Sequence, residues 1–124
     1  MVISLVTQED MARYDACDLP GWIADAGLSW LHLPIEDYQA PEAAFEAAWH
    51  EHRSRIHEIL RDGGRVFVHC AAGLGRSGTV VARILIEAGV SLAEALEVTR
   101  ATRPGAVETV EQEIYLTNIK NIFR

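Results

Sequence analysis

HCAAGLGRSGT, from His69 to Thr79, is the most constraining stretch of this 124-residue chain. It follows an apolar run at 65–68, Arg-Val-Phe-Val, that reads as a buried strand. Cys70 closes that strand, a loop bearing Gly73 and Gly75 follows, and after Arg76 and Ser77 an apolar-periodic helix begins. Strand, glycine-bearing loop and helix N-terminus in this order build an anion site with a thiol at its base. The unpaired N–H groups and partial positive charge of a helix N-terminus attract phosphate. A loop curled over that terminus turns further N–H groups inward, and Gly73 and Gly75 permit the backbone conformations that curling needs. Arg76 adds a planar fork of donors that matches two phosphate oxygens. The same positive field favours the thiolate of Cys70, the nucleophilic form. A buried structural cysteine would account for Cys70 alone. It would leave the glycines, Arg76 and Ser77 at these offsets unexplained.

Together His69, Cys70, Gly73, Gly75, Arg76 and Ser77 resemble the H-C-x-x-G-x-x-R-[ST] signature of cysteine-dependent protein tyrosine phosphatases. GLGRSGT is similar to the compact dual-specificity branch of that superfamily. LPIEDYQAP, Leu33 to Pro41, resembles the branch's P-I-x-D loop, which carries a general acid. RPGAVETVEQE, Arg103 to Glu113, resembles its R-P-G-x-x-E-T-x-x-Q segment. The resemblance runs from about Leu28 to the C-terminus, with three motifs in the family's order.

It implies a hydrolase for phosphate monoesters that needs no cofactor and no metal. Cys70 would attack phosphorus and form a cysteinyl-phosphate. Arg76 and the amides of Ala71, Ala72, Gly73, Leu74, Gly75 and Arg76 would hold the oxygens. Asp37 would be the general acid; from the residues alone, Glu36 is an equal rival, and Asp37 also suits a turn. Ser77 would donate to the Cys70 sulfur, although a serine at a helix N-terminus is equally a cap. Gln112 would position the hydrolytic water, yet Thr109-x-x-Gln112 is also a capping box. Glu108 is a second candidate for that water. His69 is expected to brace the loop rather than carry protons.

The expected fold is α/β: three layers, with a mainly parallel central sheet flanked by helices, and residues 1–124 as one catalytic domain. The resemblance implies further structure ahead of the first strand, so the domain is expected to be minimal or N-terminally shortened. Val2 to Val6 reads as a buried strand, and Thr7 with Asp10 starts a short helix ending before Pro20. Leu28 to Ile35 reads as a second strand, with Pro41 at the first position of a long helix that ends at Gly63-Gly64. Its buried face would be Phe45, Trp49, His52, Ile56, Ile59 and Leu60. In the helix after the signature, Val80, Val81, Ile84, Leu85 and Ala88 would be buried, with Gly89 at its end. Ser91 and Glu94 start another helix, stopped by Pro104-Gly105, and Thr109 with Gln112 starts the last, through Tyr115 and Ile119.

A net charge of −7 disfavours general binding to nucleic acid or anionic membrane. It leaves an anionic substrate open, because the local field of the loop governs capture. No apolar run approaches a membrane span, and the N-terminus lacks a secretory pattern. A cytoplasmic location is expected because the thiol must stay reduced, with Cys17 incidental. His50, His52 and His57 do not share one helix face as ligands. The expected partners are a phosphorylated protein or peptide, phosphotyrosine first and phosphoserine or phosphothreonine second, and phosphate-like oxyanions. Small, apolar Ala71, Ala72 and Leu74 stand where phosphoinositide-directed members of the superfamily tend to carry lysine. The alternatives are a non-catalytic phosphoprotein-binding module and a rhodanese-like sulfurtransferase.

Overall fold

The computed structural model describes residues 1–71 and 74–123; Ala72 and Gly73 of the candidate loop, and Arg124, lie outside the described residues. The contacts divide the chain into two units, Met1–Glu36 with Glu42–Ala71, and Asp37–Pro41 with Ala72–Arg124.

In the first unit, three parallel strands stand in the order β2-β1-β3: β1 (Val2–Ser4), β2 (Trp30–His32) and β3 (Phe67–His69). Val2 pairs with Trp30 on one side and Phe67 on the other, and the register continues through Ser4. The central strand is buried throughout, as a strand covered on both faces must be. Helices α1 (Gln8–Arg13) and α2 (Leu19–Asp25) connect β1 to β2, and α3 (Ala43–Arg61) connects β2 to β3. The chain leaves β1 toward one neighbour and later returns to the other. A switch point of this kind leaves a crevice at the carboxyl ends of the strands, where open α/β sheets receive ligands.

The capping box of Thr7 and Asp10 forms as expected, with both reciprocal bonds present. Several expectations need correction. The strands are three residues each, shorter than the apolar runs suggested. β3 is not buried: it pairs only with β1 among the described residues, and Phe67 is 62% exposed. An apolar run marks a strand but does not tell a central strand from an outer one. Pro20 does not merely end α1; it occupies the first turn of α2, where its missing N–H costs nothing. Pro41 lies before α3, whose N-cap is Glu42. On α3, Phe45, Trp49 and Ile56 are buried as expected, but Leu60 is exposed and His57 is buried instead.

The second unit holds α4 (Gly75–Glu87), α5 (Leu92–Thr102) and α6 (Val110–Thr117). Its core joins Ala82, Ile86, Ala95, Val107 and Leu116, with Leu85, Leu92, Leu96, Tyr115 and Ile119 packed around them. Ile119 lies beyond the end of α6. Helix α4 begins at Gly75, so Arg76 and Ser77 belong to its first turn rather than preceding it. Nor is it buried along one stripe: Thr79, Arg83 and Glu87 are buried too, while Ala88 is exposed. Burial of the charged pair is made tolerable by pairing, with Arg83 Nε donating to Glu87 Oε2 at 3.0 Å. A second Arg83 nitrogen donates to the Tyr115 hydroxyl and ties α4 to α6. Ser91 caps α5 through the Glu94 N–H, and α5 ends at Arg103 before Pro104-Gly105.

Gly78 sets how closely α4 meets the segment before α6. A Cβ there would lie 2.8 Å from Ala106 Cβ and 2.9 Å from the Val107 nitrogen. Gly78→Ala is therefore expected to destabilise the protein by about 1–3 kcal/mol from overpacking, against about 1 kcal/mol of helix-propensity gain. A urea unfolding midpoint that rises would contradict this.

Candidate phosphate-ester site

Cys70 follows β3 at the carboxyl end of the sheet and is half-buried. Its neighbour His69 is braced as expected. The Trp30 indole donates to Ser4 Oγ at 2.8 Å, and Ser4 Oγ lies 2.5 Å from His69 Nε2. His69 Nδ1 is 3.2 Å from the Cys70 carbonyl oxygen, which can only accept. The proton therefore sits on Nδ1, and the serine hydroxyl donates to Nε2. This chain of contacts braces the backbone at the cysteine.

A cavity of about 190 Å³ opens beside Cys70. Val6, Met11, Ala16 and Leu19 from the β1–α2 stretch line it, with Asp10, Tyr14, His69 and Ala71. It occupies the switch-point crevice that the strand order calls for. No motif marks it in the sequence, because most of its walls are ordinary apolar residues of the 6–19 stretch.

In the second unit, three segments meet at the N-terminus of α4. The first is the acid-loop segment: Asp37 Oδ1 lies 3.5 Å from Arg76 Nε, and it accepts the Tyr38 N–H at 3.0 Å. The Arg76 side chain is fully buried, whereas that of Asp37 is 38% exposed. Tyr38 adopts φ +63°, an uncommon left-handed conformation for a residue with a side chain. Glu36, the rival acid, is exposed and belongs to the first unit.

The second segment is the turn 103–109. Leu74, the N-cap of α4, supplies no side-chain bond. Glu108 supplies it instead: its Oε1 accepts from the Gly75 N–H at 2.7 Å and the Leu74 N–H at 3.2 Å. A carboxylate is well suited to the positive end of a helix. Val107, at φ +59°, is β-branched in the left-handed region, a conformation of about 1–3 kcal/mol in cost. Arg100 holds the strained turn, donating to the Ala106 and Val107 carbonyls at 2.9 and 3.0 Å and pairing with Glu113.

The third is α6. The capping box of Thr109 and Gln112 is complete. Gln112 is fully buried; its Oε1 accepts from the Glu108 and Thr109 N–H groups, and its Nε2 donates to the Gln39 carbonyl at 3.1 Å. A Cβ on Gly75 would fall 2.7 Å from Gln112 Oε1 and 2.8 Å from Glu108 Oε1, so a side chain there would have to displace both groups. Asp37, Arg76, Gln112 and Glu108 are thus brought to one helix end. Ser77 is half-buried in the first turn of α4. Ala72 and Gly73 lie outside the described residues. Neither cysteine is in a disulfide. Among the described residues no cluster of His, Cys, Asp or Glu is arranged to hold a metal ion, and no helix is long and apolar enough to cross a membrane.

The arrangement is a helix N-terminus capped by one carboxylate, with an arginine in contact with another. A family model described as "Polymorphic toxin system, DSP-PTPase phosphatase" matches residues 2–90. The chain belongs to this family. The rhodanese-like alternative is thereby set aside, and the α/β fold agrees with that of solved protein tyrosine phosphatases. The phosphatase Tk-PTP in its active form is 38% identical, with a TM-score of 0.75 over 96% of this chain and 76% of that one. Human dual specificity protein phosphatase 15 is 35% identical over 78 residues, 62% of this chain and 26% of the relative. Bovine protein tyrosine phosphatase type IVA 3 is 44% identical over 92 residues, 73% of this chain and 51% of the relative. The DSP-PTPase chain described here spans from about a quarter to a half of these two curated relatives.

Proposed function

We propose that residues 1–124 act as one catalytic domain that hydrolyses phosphotyrosine in proteins through a cysteinyl-phosphate. Cys70 attacks phosphorus, and the sulfur–phosphorus bond forms as the ester oxygen leaves with a proton from Asp37. Water then attacks the cysteinyl-phosphate, Asp37 takes its proton, and inorganic phosphate departs with the thiolate restored. Ser77 assists that departure by donating to sulfur. Arg76 and the amides of Ala71, Ala72 and Gly73 carry the charge of the equatorial oxygens, which is where phosphoryl transfer needs help; the Leu74 and Gly75 N–H groups, expected to join them, donate to Glu108 instead. Family membership and the contact of Asp37, rather than Glu36, with Arg76 support these roles. Gln112 and Glu108 are the candidates for orienting the water.

The cavity beside Cys70 carries the preference for tyrosine. Its lining is predominantly apolar and its volume is about 190 Å³. A protein cavity of about 150 Å³ suffices for benzene, so the volume here is enough for a phenyl ring. A serine or threonine ester would leave that apolar surface wet. Burying an aryl side chain is worth about 1.5–3 kcal/mol, or roughly a ten- to hundredfold preference in kcat/KM. The test is a matched panel of phosphopeptides bearing tyrosine, serine and threonine esters, assayed with EDTA present. Equal rates, or a preference for the aliphatic esters, would refute the assignment. Loss of all activity to EDTA would refute the metal-free mechanism. A reducing, cytoplasm-like compartment suits the thiolate chemistry.

A further inference from the structure

A capping box asks only one thing of its third residue: an oxygen that accepts the N-cap N–H. Glutamate does this as well as glutamine. Gln112 does more, because its Nε2 donates to the carbonyl oxygen of Gln39, 73 residues away in sequence and two residues beyond Asp37. Between them, Tyr38 holds a left-handed backbone and donates its N–H to Asp37 Oδ1. Asp37 Oδ1 in turn lies against Arg76. Gln112 is fully buried, and its two atoms of hydrogen-bonding chemistry serve different segments: Oε1 serves the turn at 108–109, Nε2 the acid loop.

We propose that Gln112 is a positioning residue for the general acid, its amide N–H fastening the carbonyl of Gln39 so that Asp37 is held at Arg76. This rests on the phosphatase reading above and deepens it. Ile35 and Pro41 are buried on either side, but Tyr38, at 62% exposed, and Gln39 bury little surface that could hold the tip of the loop. One buried hydrogen bond between Gln112 and Gln39 fixes the loop next to the residue that must donate a proton. An error of about 1 Å in such a group costs on the order of 10²-fold in rate. The water-orienting role asks something different of Gln112: it acts in the second chemical step and is blind to the leaving group.

The experiment measures single-turnover phosphorylation and steady-state hydrolysis of aryl phosphates with good and poor leaving groups. The proteins are wild type, Gln112→Glu, Gln112→Met, Asp37→Asn and the two Gln112 variants combined with Asp37→Asn. Gln112→Glu keeps the cap and loses the donor. Gln112→Met keeps the approximate shape and can neither donate nor cap. Thermal melts record how well each variant folds. The expected result is a loss of roughly tenfold in the first step for poor leaving groups and less than about twofold for good ones. With Asp37→Asn already present, the Gln112 changes should add nothing, because the group being positioned is gone. Equal losses for all leaving groups, or losses that multiply with Asp37→Asn, overturn the proposal. So does a normal first step with a slowed second step and increased transfer to added alcohols, which would return Gln112 to the water. Failure of the phosphatase reading is visible separately, as a wild type without turnover or an Asp37→Asn variant without leaving-group dependence; either also removes the proposal.

Discussion

Cys70→Ser is expected to abolish turnover of aryl phosphates, by at least about 10⁴-fold, while leaving the fold and the binding of oxyanions intact. The substitution exchanges sulfur for oxygen at nearly constant shape. A hydroxyl is a poor nucleophile at neutral pH unless a base activates it. His69, the adjacent histidine, has both ring nitrogens engaged, one with Ser4 Oγ and one with the Cys70 carbonyl. Serine at position 70 would therefore have no base to rely on, and rescue of activity is not expected at any pH where the protein is folded. The measurement is turnover of a small aryl phosphate alongside tungstate or vanadate binding by calorimetry. Residual activity above about one per cent would mean that another group attacks phosphorus. A wild type that binds phosphopeptide and turns over nothing would establish the binding-module alternative.

Asp37→Asn is the second large effect. Proton donation by a positioned acid is worth about 10²–10⁴-fold, and the loss should be confined to substrates whose leaving group needs the proton. Alkyl and unactivated aryl esters should approach the full loss, whereas esters of strongly acidic phenols should lose little. Asparagine keeps the shape and can still accept a hydrogen bond from Tyr38 N–H, as Asp37 Oδ1 does now. Its contact with Arg76 is long at 3.5 Å and partly exposed, so stability should change by less than about 1 kcal/mol. A loss independent of the leaving group would identify Asp37 as a positioning group for Arg76. A full effect at Glu36 instead would move the acid by one residue.

What could be read from the sequence was what is local. Thr7 with Asp10 and Thr109 with Gln112 lie three residues apart, and both boxes form because a cap is made within one turn. Gly63 and Gly89, with φ of +81° and +107°, end α3 and α4 where a left-handed residue is needed. What could not be read depends on distant partners. Nothing near Glu108 announces that its carboxylate will cap a helix 33 residues earlier in the chain. Nothing near Gln39 announces a glutamine 73 residues later. The buried side of α4 was drawn too narrowly because Arg83 and Glu87 look like solvent-facing charges until they are seen to satisfy each other. The apolar run before Cys70 reads as interior, yet β3 is an outer strand among the described residues, because hydrophobicity does not reveal whether a neighbouring strand stands on both sides.

The walls of the cavity beside Cys70 have a consequence for inheritance. Val6, Met11, Tyr14, Ala16 and Leu19 lie on one uninterrupted stretch between β1 and the start of α2. Asp37, Arg76, Glu108 and Gln112, the residues gathered at the end of α4, all lie downstream of it. If that cavity selects the substrate as proposed, variation confined to some fourteen codons would redraw most of its walls while leaving Cys70 and the residues at the end of α4 in place. On that reading, a graft of residues 6–19 between members is the natural unit for retargeting one.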